Sequence, residues 1–141
     1  MAAVQQKTVD AIKASQQELT TAWLSALEAS GATRNIKEDD LKQQSAEFLR
    51  LVISVAEKGR HQSLVGSDWD EIRQFLEKLS QSRALIGQDS QQTASFVFSL
   101  KGPVFNLLQR EYEADPAIYA EQLLELSELL DALAMHTIRT F

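Results

Sequence analysis

Apolar residues recur along this chain at spacings of three and four, which is the period of a helix with one buried face. The first such stripe covers residues 4–29 and the second covers residues 37–58. Their main apolar positions are Ile12, Leu19, Trp23 and Leu27, then Leu41, Phe48, Leu49, Val52, Val55 and Ala56. Gly31 and Gly59 follow the stripes and predict the two helix ends.

A third helix is predicted after a polar loop at residues 60–66. Ser67 or Asp68 can accept a hydrogen bond from the free N–H groups of its first turn, and Gly87 closes it. Its apolar face consists of Trp69, Ile72, Leu76, Leu79 and Ile86.

The last two helices are predicted from a second set of cap signals. The fourth begins at Asp89 or Ser90 and reaches about residue 113, and the fifth begins at Asp115 and Pro116, a cap followed by proline. Their stripes contain Phe96, Val97, Leu100, Val104, Leu107 and Leu108, then Leu123, Leu126, Leu130 and Leu133. No segment alternates with period two, so we predict one all-α domain, a bundle of five helices spanning residues 1–141.

The fourth and fifth helices are apolar over more than one face, although a helix in a small domain needs only one buried face. Either both helices are central and covered on two sides, or one face packs against a second chain. We take the following residues as candidates for a homodimer interface, the aromatic ones also for a small apolar pocket: Phe98, Phe105, Tyr112, Leu126 and Leu130.

Gly102 and Pro103 interrupt the fourth helix. Proline lacks the backbone donor and crowds the preceding turn, so we predict a kink at Pro103. A bend that follows the core and a signalling hinge both fit this pattern.

Composition narrows the classes of function. The chain has 141 residues, 44% of them hydrophobic, with a net charge of −6 and no cysteine. An acidic surface repels phosphate backbones, so nucleic-acid binding is disfavoured, and thiol chemistry is excluded. No apolar run approaches the ~20 residues that span a bilayer, and the N-terminus lacks a signal-peptide core. We therefore expect a cytoplasmic protein without membrane contact, or a cytoplasmic piece of a longer one.

Candidate catalytic chemistry is sparse. His61 lies in the polar loop and His136 in the last helix, and neither has a second histidine at the spacing of a metal site. The sequence contains no phosphate-binding loop and no nucleophile elbow, and the acidic clusters at residues 38–40 and 68–71 are explained by the helix starts. We expect neither catalytic nor metal-binding residues, hence no enzyme.

Arg83 breaks the apolar pattern of the third helix, four residues after Leu79 and three before Ile86. One interpretation is that its head reaches water at the end of the stripe. The other is that it enters a pocket and holds an anion or a carboxylate of another helix.

Residues 82–101 carry a family resemblance. An Arg-x-x-x-Gly turn at residues 83–87 is followed by Thr-Ala-Ser-Phe-Val-Phe-Ser-Leu-Lys at residues 93–101, which is similar to the N-terminal domain of RsbR-type co-antagonists. Trp23, the second helix around Phe48 and Leu49, and residues 129–133 also resemble that family, so the likeness covers nearly the whole chain.

The resemblance implies a sensory module that precedes a STAS domain or a histidine kinase in a bacterial stress-signalling protein. In the stressosome such domains project from a cytoplasmic core. Related modules are globin-like and form homodimers, and the attached domain contacts other signalling proteins. We therefore expect a globin-like bundle.

A haem-binding sensor is the alternative that this lineage offers. Sensor globins often have His-x-x-Ile-Gly at the iron ligand, and the equivalent residues 83–87 place Arg83 at the position of that histidine. Guanidinium stays protonated and does not ligate iron, so we expect no cofactor. If haem were bound, His61 or His136 would have to ligate it; a small-ligand sensor also stays open.

Overall fold

The computed structural model describes residues 4–31, 33–58 and 66–141. The regular structure of these residues consists of seven α-helices and one short 3-10 helix, without a strand. The helices are α1 (Gln6–Ala14), α2 (Gln16–Ser30), α3 (Glu38–Lys58), α4 (Asp70–Leu85), α5 (Ser90–Phe98), α6 (Lys101–Glu111) and α7 (Pro116–Arg139), and the 3-10 helix Ser67–Trp69 precedes α4. The predicted all-α class is confirmed.

The first predicted helix is divided at Ser15 into α1 and α2. The Ser15 N–H bonds to the carbonyl of Ile12, three residues back, so the backbone tightens for one turn before α2 begins. Neither glycine nor proline marks this point in the sequence.

The fourth predicted helix is divided at Ser99 and Leu100 into α5 and α6. We predicted the kink at Pro103, and the interruption lies a turn earlier because the proline ring crowds the carbonyl of the residue four positions before it, which is Ser99. Pro103 itself lies in the first turn of α6, where a missing N–H costs nothing. Five predicted helices thereby become seven.

The helices that enclose the core pack mainly on α7 and on α3. α7 packs most extensively against α5 and also contacts α4 and α6, whereas α3 contacts α1, α2 and α4. Helices α1 and α2 also contact α6, which connects the helices around α3 with those around α7. Trp23 of α2 lies at the centre with its ring against Phe48 of α3 and Phe96 of α5.

The turn between α4 and α5 is fixed on both sides. Gly87 adopts a φ of +88°, which a residue with a side chain rarely adopts, and this lets the Gln88 N–H bond back to the carbonyl of Arg83. Asp89 then caps α5: its carboxylate accepts from the Gln92 N–H at 2.8 Å, and the Gln92 side chain accepts from the Asp89 N–H at 3.0 Å. The predicted start of this helix is confirmed.

Replacing Asp89 with alanine is expected to lower the free energy of unfolding by about 1 kcal/mol, since the cap of α5 is lost. Urea titration of wild type and variant measures the change. Ser90→Ala at the next position, whose side chain makes no capping contact, is the matched control. Equal effects of the two substitutions would contradict the role given to the capping box.

Candidate functional site

An apolar face on α7 remains uncovered by the other residues that the structure describes. Leu124 is 58% exposed and Met135 46% exposed, and Ile138 is also exposed. Their spacings of eleven and three residues put them on one side of an α-helix. We call this surface, together with Phe98, the α7 face.

Phe98 extends this surface from the neighbouring helix α5. Its ring is 40% exposed, and the ammonium of Lys101 lies 5.6 Å from the ring centroid. Lys101 also forms an ion pair with Asp131, which lies on α7 between Leu124 and Met135. Lys101 and Asp131 thus neutralise each other, whereas Glu128, which is exposed on the same side of α7, forms no ion pair with the described residues and adds one negative charge to the α7 face.

Most of the residues that we selected as interface candidates lie inside the subunit. Leu126 and Leu130 are each 1% exposed and Tyr112 is also buried, so these three belong to the subunit's own core and offer no surface to a second chain. Phe105 is half-buried and packs against that core. Phe98 is the one candidate of the five that is exposed.

Both explanations for the surplus apolar surface therefore apply to α7, at different positions: some of its apolar residues are covered within the subunit, and others are left for a second chain. Because α4, α5 and α6 all pack on α7, most of its leucines are covered within the subunit. The remaining apolar positions form the α7 face. Leu124 and Met135 were not among our candidates, although their helical spacing in the sequence could have suggested them.

Arg83 does not reach water at the end of its stripe, so that interpretation is wrong. Its side chain is 2% exposed, and Nη2 donates to Oε1 of Gln44 on α3 at 2.7 Å. The guanidinium carbon lies 5.8 Å from the ring centroid of Phe96. Burial lowers the pKa of Arg83 to about 10, which still leaves a cation at neutral pH. Its side-chain partner in the described chain is an amide, not the carboxylate that we had considered.

The two histidines have different outcomes. His136 is largely buried between α4 and α7, where its Nε2 lies 3.3 Å from Oε2 of Glu77. His136 is thus packed against the neighbouring helix α4. His61 lies outside the described residues.

A buried polar network was missed by the sequence analysis. The Thr8 hydroxyl donates to Oε1 of Gln122 at 2.8 Å and lies 2.6 Å from the Tyr112 hydroxyl. The backbone N–H of Gln5 donates to the same Gln122 oxygen at 2.8 Å. The network links α1 to α7 across more than a hundred residues of sequence, so no local pattern could have predicted it.

Within residues 4–31, 33–58 and 66–141, no three histidine, cysteine, aspartate or glutamate side chains are grouped as a metal site would require. In the same ranges, no helix has both the length and the apolar character needed to cross a membrane.

In the part of the chain that the structure describes, the fold and this surface define an all-helical domain with an uncovered apolar face on α7. A family model described as the RsbT co-antagonist protein rsbRD N-terminal domain matches residues 17–141, so the chain belongs to this family. The resemblance carried by residues 82–101 is thereby confirmed, and α1 precedes the matched region. No curated protein and no solved structure matches the chain.

Proposed function

We propose that this chain is the sensory and dimerisation module of a bacterial stress-signalling regulator of the RsbR type. It is non-catalytic, acts in the cytoplasm, and passes signals through helix packing to a C-terminal output domain, a STAS domain or a histidine kinase. A globin-like arrangement of its helices is part of this proposal. Family membership over residues 17–141 supports it.

The observation that supports dimerisation is the uncovered α7 face. Exposed leucine, methionine and phenylalanine side chains gathered on one surface are typical of a protein interface. A two-fold axis brings the same face of two subunits together, so each apolar side chain is covered by its equivalent surface. Lys101 and Asp131 add no net charge to this contact because they are paired with each other.

This arrangement gives a physical route for signalling. α7 contacts α4, α5 and α6 within the subunit and carries the proposed contact with the second subunit. A ligand or partner that favours one packing of α7 over another shifts the balance between two dimer states. The attached domain then receives the change through the end of this helix.

A double variant in which Leu124 and Met135 are both replaced with glutamate is expected to dissociate the dimer. Each substitution places an unpaired charge in the apolar contact. We expect the dissociation constant to rise at least about a hundredfold. Sedimentation velocity at protein concentrations from about 1 µM to about 300 µM measures this dissociation constant. Circular dichroism checks that the helices persist.

The control is Leu85→Glu, which replaces a leucine that is 87% exposed on α4. It makes the same chemical change away from α7 and should leave the dimer intact. A wild-type protein that stays monomeric throughout the range would refute dimerisation. A dimer that tolerates both glutamates on α7 would refute the assignment of this face.

A further inference from the structure

Arg83 is a buried cation whose hydrogen-bonding capacity is largely unused by the described residues. A guanidinium carries five N–H donors. One of them bonds to the Gln44 amide oxygen at 2.7 Å, and no carboxylate in the described ranges forms an ion pair with Arg83. The guanidinium carbon lies over the Phe96 ring, 5.8 Å from its centroid. Among the described residues, the charge is therefore balanced by an amide dipole and an aromatic ring, and the nitrogens that Gln44 leaves free keep a small contact with solvent.

Such an environment is costly for a charged group. Removing a guanidinium from water is offset when a carboxylate and further hydrogen bonds replace the lost hydration, and a partial replacement leaves a deficit. The lowered pKa of Arg83 has burial as its cause, with no opposing contribution from a nearby negative charge. Ionisable groups whose pKa is strongly shifted by their surroundings occur preferentially at functional sites.

We propose that Arg83 is the anchor of a binding site for a small carboxylate, of the size of formate or acetate, held by the guanidinium edge that Gln44 leaves free. A planar carboxylate matches two parallel N–H groups of this edge, which gives a short and charge-assisted pair. The near-complete burial of Arg83 limits the ligand to a few atoms. The site is separate from the proposed dimer contact, because none of Arg83, Gln44 and Phe96 belongs to the α7 face.

Gln44 also provides the access to this site. Its half-buried side chain is part of the wall of an open groove of about 300 Å³, lined by Asp40, Gln43, Gln44, Glu47 and Phe75. Within the groove, Glu47 is paired with Arg50, whereas Asp40 repels an anion. We therefore place the carboxylate on the Arg83 side of Gln44, which it reaches when the amide swings aside.

The proposal predicts a thermal stabilisation by acetate that depends on Arg83. A ligand that binds only the folded protein raises the melting temperature, by about 5–10 °C at a hundred times its dissociation constant. The titration replaces sodium chloride with sodium acetate at constant ionic strength. Sodium phosphate is a separate arm, since it offers negative charge without the planar carboxylate. Arg83→Met should lose the response to acetate.

A built-in carboxylate gives the sharpest test. Gln44→Glu places an oxyanion next to Nη2 of Arg83, so it should raise the melting temperature without acetate by about 3 °C and abolish the response to acetate. Gln43→Glu is the matched control: it adds the same charge to the same acidic stretch of α3, at an exposed side chain without a contact to Arg83. This variant should respond to acetate as the wild type does.

Three results would overturn the proposal. The first is a wild-type melting temperature that is equal in acetate and chloride. The second is a Gln44→Glu protein that responds to acetate as fully as Gln43→Glu, a comparison that stands even if Arg83→Met fails to fold. The third is stabilisation by phosphate alone, which would refute the carboxylate assignment.

Discussion

Replacing Trp23 with alanine is expected to lower the free energy of unfolding by about 3–5 kcal/mol. The side chain is fully buried, and its ring centroid lies 4.7 Å from that of Phe96 and 5.8 Å from that of Phe48. Alanine leaves a cavity where α2, α3 and α5 meet, and the surrounding helices close it only in part. Chemical denaturation followed by circular dichroism measures the loss.

Trp23 has a second role, which comes from the break between α5 and α6. In a continuous helix the carbonyl of Phe96 would accept from the N–H of Leu100, four residues on. Here the Leu100 N–H bonds to Val97, and the indole Nε1–H of Trp23 donates to the Phe96 carbonyl at 2.8 Å. The tryptophan thus satisfies a backbone group that the interruption leaves without its helical partner.

Trp23→Phe separates these two roles. It keeps most of the aromatic packing and removes the donor, so the expected loss is about 1–3 kcal/mol, the cost of a buried carbonyl without a partner. The variant should therefore lie between wild type and Trp23→Ala. A loss below about 0.5 kcal/mol for Trp23→Ala, the size of a surface substitution, would refute the central position of this residue.

The extent to which sequence predicts this fold depends on the range of the interactions. The stripe of Ile12, Leu19, Trp23 and Leu27 is buried as predicted, because helical spacing alone puts these residues on one face. The cap of α5 at Asp89 was equally predictable from the sequence. The break at Ser15 was not, since it depends on a single hydrogen bond that no glycine or proline announces.

The candidate site was harder to predict, because exposure depends on what packs against a helix. α7 carries leucines around much of its circumference, and the sequence does not tell which of them its neighbours cover. Leu126 and Leu130 face α7's partners within the subunit, whereas Leu124 faces outward. Likewise, the position of Arg83 at the end of its stripe suggested exposure, and α3 covers it through Gln44. Such partners are distant in sequence.

Among the substitutions considered, loss of Gln122 is expected to lower the free energy of unfolding the most after loss of Trp23. Gln122 belongs to the buried polar network. Replacing it with leucine removes the acceptor of both the Thr8 hydroxyl and the Gln5 N–H. The buried Thr8 hydroxyl left without its acceptor costs about 1–3 kcal/mol and the part-buried Gln5 N–H about 1 kcal/mol, so we expect a total loss of about 2–4 kcal/mol. Gln109→Leu, at an exposed glutamine on α6, is the control for the gain in hydrophobicity.

The network also determines how firmly α1 is held. An isolated helix of nine residues is unstable in water, so α1 depends on its packing and on these hydrogen bonds. Because Thr8 donates to Gln122, the Tyr112 hydroxyl must donate to Thr8, and the three side chains form one directed chain. Loss of Gln122 should therefore speed hydrogen exchange throughout α1 while α3 stays protected.

A double variant shows whether the network acts as a unit. Thr8→Val removes the hydroxyl that Gln122→Leu leaves without its acceptor, so the two losses should not add. We expect the double variant to be at least about 1 kcal/mol more stable than the sum of the single losses predicts. Strict additivity, or hydrogen exchange in α1 that is unchanged in Gln122→Leu, would mean that apolar packing alone holds α1 against α6 and α7.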